Sequence, residues 1–202
     1  MTPHAPIPLC GLILAGGRSS RMGTDKAALV HPDGRTLARR GYDLLAQAGC
    51  QSVALSLRHD QDLPPGFADL ADILLVRDPE GLSQGPLGGM LAAMRLRPEA
   101  DWLILACDLP GLDLATLMLL LAEKRSDEPF LSYRSEFDNL PEPLCALYGV
   151  AALPILEQAQ AEGIRCPRKP LIRHQCRLLE PITPHALDNA NTPADWASAI
   201  TR

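Results

Sequence analysis

The chain has 202 residues, enough for one α/β domain with a full core, and 47% of them are apolar, which excludes a disordered chain. A formal charge of −5 argues against general nucleic-acid binding, and no apolar run reaches the roughly 18 to 20 residues that a membrane helix needs. The expectation is a single cytoplasmic domain, residues 1–202, with neither nucleic acid nor membrane as a partner.

The first element is an apolar run, residues 9–14, that reads as a buried strand. It opens into Leu14-Ala15-Gly16-Gly17-Arg18-Ser19-Ser20-Arg21-Met22-Gly23-Thr24-Asp25-Lys26. Paired glycines let the backbone turn sharply and bring its N–H groups close to a ligand. Arg18, Arg21 and Lys26 face one acid, Asp25. Exposed backbone donors beside long-reaching cations describe a polyphosphate cradle. Two common nucleotide motifs are excluded. Lys26 is followed by Ala27 where the ATPase phosphate loop needs Ser or Thr, and Gly16 and Gly17 are adjacent where the dinucleotide fingerprint needs a spacer.

Further along, Thr36 caps a helix that runs to about residue 48, with Leu37, Leu44 and Leu45 on its inner face and Gly49 as its stop. Residues 53–57 and 73–76 read as strands, separated by a Pro-Pro-Gly turn at Pro64 to Gly66. A short helix over 87–95 follows a glycine-rich loop, and 102–106 is a central buried strand. Then come a helix over 112–124, strands over 129–133 and 144–148, a helix near 150–161, and a last helix starting near Thr192-Pro193. Strand-length runs that alternate with helix-length amphipathic stretches predict α/β: a three-layer α/β/α domain with a mostly parallel sheet.

In such sheets ligands bind beyond the carboxyl ends of the strands. The polar segments obey that rule, because the Gly16 loop, Arg77-Asp78 and Cys107-Asp108 each follow a strand. All three are expected on one rim. Asp108, at the tip of a buried strand, is placed to hold a hard cation through oxygen, and Mg²⁺ typically needs only one or two protein carboxylates beside substrate phosphates. A turn or helix-cap role for Asp108 is the structural alternative. Asn191-Thr192-Pro193 likewise reads as a helix start.

Six cysteines (Cys10, Cys50, Cys107, Cys145, Cys166, Cys176) show no Cys-x-x-Cys spacing and read as reduced thiols. Charge is uneven. Arg165, Arg168, Lys169, Arg173 and Arg177 are five of the 19 basic residues, with no acid among them, which leaves 14 basic against 24 acidic groups elsewhere. This segment reads either as a solvated face or as a site for a phosphorylated ligand or an acidic partner.

The loop resembles the nucleotidyltransferase signature Leu-Ala-Gly-Gly-x-Ser-x-Arg-Met-Gly-x-Asp-Lys, and within that superfamily it is similar to the molybdenum cofactor guanylyltransferases. Asp108 in Asp108-Leu109-Pro110 is similar to the family's metal-binding position, and Asp78 matches the position linked to the base or ribose. Gln84-Gly85-Pro86-Leu87-Gly88-Gly89-Met90 resembles the family's Gly-Pro-Leu-x-Gly loop, whose glycines would let backbone approach the ligand, and Asn189 with Asn191 resembles its closing Asn-x-Asn-Thr-Pro element. Where the family often carries an Asn after the second strand, Ser56 is the one short polar residue here.

The resemblance implies a Rossmann-like nucleotidyltransferase fold and transfer of GMP from GTP to the phosphate of molybdopterin, with Mg²⁺ as cofactor and release of pyrophosphate. It implies a nucleotide site of Leu14, Ala15, Gly16, Gly17, Lys26, Asp78, Asp108, Asn189 and Asn191. The catalytic set is Arg21, Lys26 and Asp108, with Asp108 on the metal. Arg21 and the loop N–H groups would hold the β- and γ-phosphates, and Lys26 the α-phosphate or the incoming anion. The basic segment would serve the pterin phosphate, or dock a cofactor-delivery protein or an acceptor molybdoenzyme. Two other readings stand beside this one. One is a cytidylyltransferase of the same fold, whose members usually carry Leu-Ala-Ala-Gly, so that Gly16 favours guanine. The other is a non-catalytic protein that binds nucleotide or cofactor.

Overall fold

Runs such as 9–14 and 102–106 become strands because each is too short and too uniformly apolar for an amphipathic surface helix. In the computed structural model, which describes residues 6–17, 22–70, 73–78 and 85–201, the strands are β1 (Leu9–Leu14), β2 (Ser52–Leu57), β3 (Leu74–Arg77), β4 (Asp101–Ala106), β5 (Phe130–Arg134), β6 (Pro141–Tyr148) and β7 (Arg177–Leu179). The helices are α1 (Leu37–Gln47), α2 (Gly85–Met94), α3 (Leu114–Glu123), α4 (Ala152–Ala161), α5 (Arg168–Arg173) and α6 (Pro193–Ile200). The strands form one sheet in the order β3-β2-β1-β4-β6-β5-β7.

The pairs β3–β2, β2–β1, β1–β4 and β5–β7 are parallel, whereas β6 runs antiparallel to both β4 and β5. The α/β class with a mostly parallel sheet is therefore observed, with one reversed strand that periodicity alone does not reveal. Helix α5, within the basic segment, and strand β7, which starts at its last residue, are likewise absent from the sequence expectation.

Each sheet face carries its own core. On one face Ile13, Leu55, Leu105 and Leu147 pack with Ala38 and Leu45 of α1 and Leu117 and Leu120 of α3. On the other, Leu12, Ile104, Trp102 and Tyr148 pack with Leu87, Met90 and Leu91 of α2, Leu156 of α4 and Leu171 of α5. Side chains alternate across a strand, so neighbours such as Leu12 and Ile13 serve opposite cores. This is the three-layer arrangement. No helix among the described residues is long and apolar enough to cross a membrane, and the cysteines form no disulfide.

Thr36 caps α1 as its position suggests: its hydroxyl oxygen accepts from the Arg39 N–H at 3.2 Å and donates to the Pro65 carbonyl at 3.1 Å. It thereby ties the Pro-Pro-Gly turn to the helix start. Thr36→Ala is expected to cost about 1 kcal/mol of folding stability, read as a shift in the urea midpoint at unchanged slope.

Candidate functional site

Strands β1, β2, β3 and β4 are mutually parallel, so their carboxyl ends share one rim. Leu14 pairs with Ala106 on one side and Ser56 on the other, which fixes where the chain leaves each strand. Because β6 is reversed, its beginning lies on that same rim. A cleft of about 330 Å³ opens there, lined by Leu14, Ala15, Gly17 and Lys26 from the first loop, Pro86 from α2, and Ala106, Cys107 and Asp108 at the end of β4. Leu144 of β6 and Asn191 complete it.

Three of its lining groups converge. Lys26 Nζ donates to Asp108 Oδ2 at 2.8 Å and to Asn191 Oδ1 at 2.7 Å. These residues come from the ends of β1 and β4 and from the segment before α6, so the fold joins positions 165 residues apart. Lys26 reaches the site from a short 3₁₀ turn, Lys26–Ala28, which Asp25 caps by accepting from the Ala27 N–H at 3.0 Å. Asn191 is held because the next residue, Thr192, caps α6 in a reciprocal capping box with Asp195. Asn191-Thr192-Pro193 is thus a helix start, and the same cap brings the Asn191 side chain to the cleft.

The donor set fits a small hard cation. A carboxylate oxygen and an amide oxygen already point at one positive charge, the Lys26 ammonium, from less than 3 Å. Beside Asp108, burial and then the neighbouring carboxylate push the Cys107 thiol well above its ordinary range. Cys107 forms part of the cleft wall.

A second cleft of about 170 Å³ adjoins the first, sharing Ala106 and Leu144. It is lined also by Glu142, Arg168 and Asn189. Asn189 and Asn191 thus face neighbouring compartments. Their segment returns to the rim through the Ala190 N–H, which donates to the Asp108 carbonyl at 3.0 Å, and Thr183, whose hydroxyl donates to Asp113 Oδ2 at 2.9 Å. It runs directly over Gly111, where an added Cβ would lie 2.6 Å from the His185 carbonyl oxygen.

Asp78 follows β3, and its N–H donates to the Leu57 carbonyl at 3.0 Å. Burial raises its carboxyl above the usual range, and Arg58 opposes that shift. Asp78 and Gly16 lie on the same rim but do not line the first cleft. Arg21 lies outside the described residues, as do Arg18 and Gln84.

Three expectations change. Ser56 is buried against Gly89 of α2, where an added Cβ would sit 2.3 Å from the Ser56 hydroxyl. Gly89 is thus a packing glycine rather than a ligand-facing one, and Ser56 does not face the rim. The residue that does is Arg58, whose Nη1 donates to the Gly17 carbonyl at 2.7 Å. Gly16 gives it room, since an added Cβ there would lie 3.3 Å from the Arg58 nitrogen.

The basic segment is also partly opposed within the fold. Arg168 pairs with Asp138 and Glu142, Arg173 with Glu162, and Arg177 with Glu128 and Glu123, whereas Arg165 and Lys169 are exposed. The acids that meet these three arginines come from elsewhere in the chain. Arg168 also lines the second cleft.

Sequence reasoning also missed Gln61 and Arg58, a polar pair behind the glycine loop, and placed Arg77 on the rim without a role. The signal for Gln61 and Arg58 was a cluster of hydrogen-bonding side chains in a connection otherwise rich in turn residues.

Residues 11–178 match the model of the MobA-like NTP transferase domain. The chain is 36% identical over 189 residues to a molybdenum cofactor biosynthesis bifunctional protein of Synechocystis, covering 94% of this chain and 53% of that longer protein. It is 32% identical over 197 residues to the molybdenum cofactor guanylyltransferase of Pseudomonas fluorescens, covering 96% of this chain and 94% of the relative. In fold it is similar to molybdopterin-guanine dinucleotide biosynthesis protein A of Archaeoglobus fulgidus, with a TM-score of 0.72 at 22% identity over 95% of this chain and 97% of that one.

Proposed function

The chain belongs to the MobA-like NTP transferases, and from that premise we propose that it transfers GMP from GTP to the terminal phosphate of molybdopterin, releasing pyrophosphate. The observation that carries this reading is the convergence of Lys26, Asp108 and Asn191 at the mouth of the glycine loop. A phosphate-binding loop, a cation and oxygen donors for a metal meet where a triphosphate would lie.

The acceptor phosphate is already an anion, so the reaction needs no general base; positioning and charge neutralisation carry it. The backbone N–H groups of Gly16 and Gly17 and, by residue type, Arg21 would hold the β- and γ-phosphates. Lys26 would turn from Asp108 and Asn191 towards the α-phosphate or the incoming anion. Asp108 and Asn191 would then hold Mg²⁺, which when bound supplies positive charge to the phosphate oxygens and the leaving pyrophosphate. Asp78, as an acceptor, would take the N1–H and exocyclic amine of guanine. The second cleft, with Asn189 and Arg168, would receive the acceptor.

Protein, Mg²⁺ and molybdopterin, mixed with one nucleoside triphosphate at a time, test the reading. Pyrophosphate release with GTP is expected. Release with CTP instead would mark a cytidylyltransferase, and release with none a binding protein. The acceptor side has its own test. Arg168→Glu is expected to raise the KM for molybdopterin about tenfold by losing a charge-assisted contact, with GTP affinity unchanged. Lys169→Glu, an exposed position outside both clefts, is expected to change neither.

A further inference from the structure

The glycine loop and the turn that carries Lys26 must act on the same triphosphate, so their separation has to be fixed. One side chain spans them. Gln61 lies in the connection after β2 with 5% of its surface exposed, and its Nε2 donates to the Ala15 carbonyl at 3.0 Å and to Asp25 Oδ2 at 2.7 Å. Ala15 is the entry to the loop. Asp25 is its exit, and the other oxygen of that carboxylate caps the Lys26 turn. Gln61 Oε1 is also used, accepting from the Arg58 N–H at 3.1 Å.

The strut is itself anchored. Arg77 Nη1 donates to the carbonyls of Gln61 at 2.7 Å, Arg58 at 3.0 Å and His59 at 3.3 Å. Arg58 in turn holds the Gly17 carbonyl. The turn 58–61 therefore grips the loop at three points: Ala15, Gly17 and Asp25.

The chemistry of the position selects an amide. Its surroundings offer one donor and two acceptors, and a carboxamide presents the complement: one acceptor and two N–H bonds. A carboxylate would set acceptor against acceptor at Ala15 and Asp25. An apolar side chain would leave both unpaired in a buried place.

We infer that Gln61 is a positioning residue for nucleotidyl transfer, setting the distance between the loop N–H groups and Lys26. This rests on the proposed reading of the loop as the triphosphate cradle. Gln61 touches no substrate and acts through Ala15 and Asp25.

The test compares wild type, Gln61→Glu, Gln61→Met, Asp25→Asn and the double variant that combines Gln61→Glu with Asp25→Asn. The readouts are GTP binding by calorimetry, kcat and KM for pyrophosphate release, and thermal melting. Both Gln61 variants are expected to lower kcat about tenfold with KM for GTP within about threefold, because misplacement by a fraction of an ångström is felt in the transfer step. In the double variant the amide introduced at position 25 donates to the carboxylate introduced at position 61, exchanging donor and acceptor. It is expected to recover part of the kcat that Gln61→Glu loses, because the pairing with position 25 is restored while the Ala15 carbonyl still faces a carboxylate.

Unchanged kcat in both Gln61 variants, or losses that simply multiply in the double variant, overturns the inference. Should Gln61→Glu fail to fold, Gln61→Met carries the comparison. Wild-type protein that neither binds GTP nor releases pyrophosphate refutes the proposed function itself, and that outcome is distinct from a failure of the strut.

Discussion

Replacing Asp108 by alanine is expected to slow pyrophosphate release from GTP by roughly a thousandfold, the scale typical of losing a group that neutralises transferring phosphate. The fold should survive. Asp108 sits at the tip of β4 rather than within it, its side chain is 16% exposed, and the Ala190 N–H bonds its backbone carbonyl, which the substitution keeps. Lys26→Ala removes the other half of the ion pair and is expected to cost about a hundredfold or more by the same reasoning. The two losses should not multiply in the double variant, because the residues contact each other and act on one set of oxygens. Melting curves accompany the kinetics. Near-normal turnover in either variant, with the fold intact, would remove that residue from the catalytic set.

Gly111→Ala is expected to lower turnover by up to about a hundredfold without touching any substrate. An added Cβ would stand 2.6 Å from the His185 carbonyl oxygen, 3.3 Å from its carbonyl carbon and 3.5 Å from the Ala186 Cα. All three are backbone atoms, so no rotamer change relieves the clash. The segment that must move delivers Asn189 and Asn191 to the two clefts, and displacement by about 1 Å is enough for losses on that scale. Overpacking of this kind typically costs about 1–3 kcal/mol in stability, so the variant should still fold. The signature is a loss of turnover far larger than the drop in melting temperature implies. Turnover that falls only in proportion to the unfolded fraction would mean that the segment tolerates the shift.

Much of this arrangement was legible in the chain. Buried strands such as 102–106 declare themselves as short, unbroken apolar runs, and the rule that ligands bind beyond strand ends places the glycine loop, Asp78 and Asp108 on one rim. What escaped has a common physical cause, which is pairing over long sequence distance. The run 144–148 reads as a strand, but nothing in it states that β6 lies reversed between β4 and β5. Three cations of 165–177, Arg168, Arg173 and Arg177, look unopposed until folding brings Glu123, Glu128, Asp138, Glu142 and Glu162 to them. Gln61 has no periodicity to betray it. Its role exists only because β2 runs beside β1 and carries the following turn to the far side of the loop.

The order of the sheet has a further consequence, for how the molecule keeps company with its own copies. The strands at its two margins, β3 with 4 residues and β7 with 3, are its shortest among the described residues, while β6 in the interior has 8. Each margin also carries an arginine, Arg77 on β3 and Arg177 on β7. A long, flat, apolar margin would offer its unpaired N–H and C=O groups to any passing strand, the first step towards aggregation. Here the long apolar strands are enclosed, and what is left at the borders is brief and charged. A chain whose core is so rich in leucine and alanine thus resists edge-to-edge aggregation through the placement of its strands.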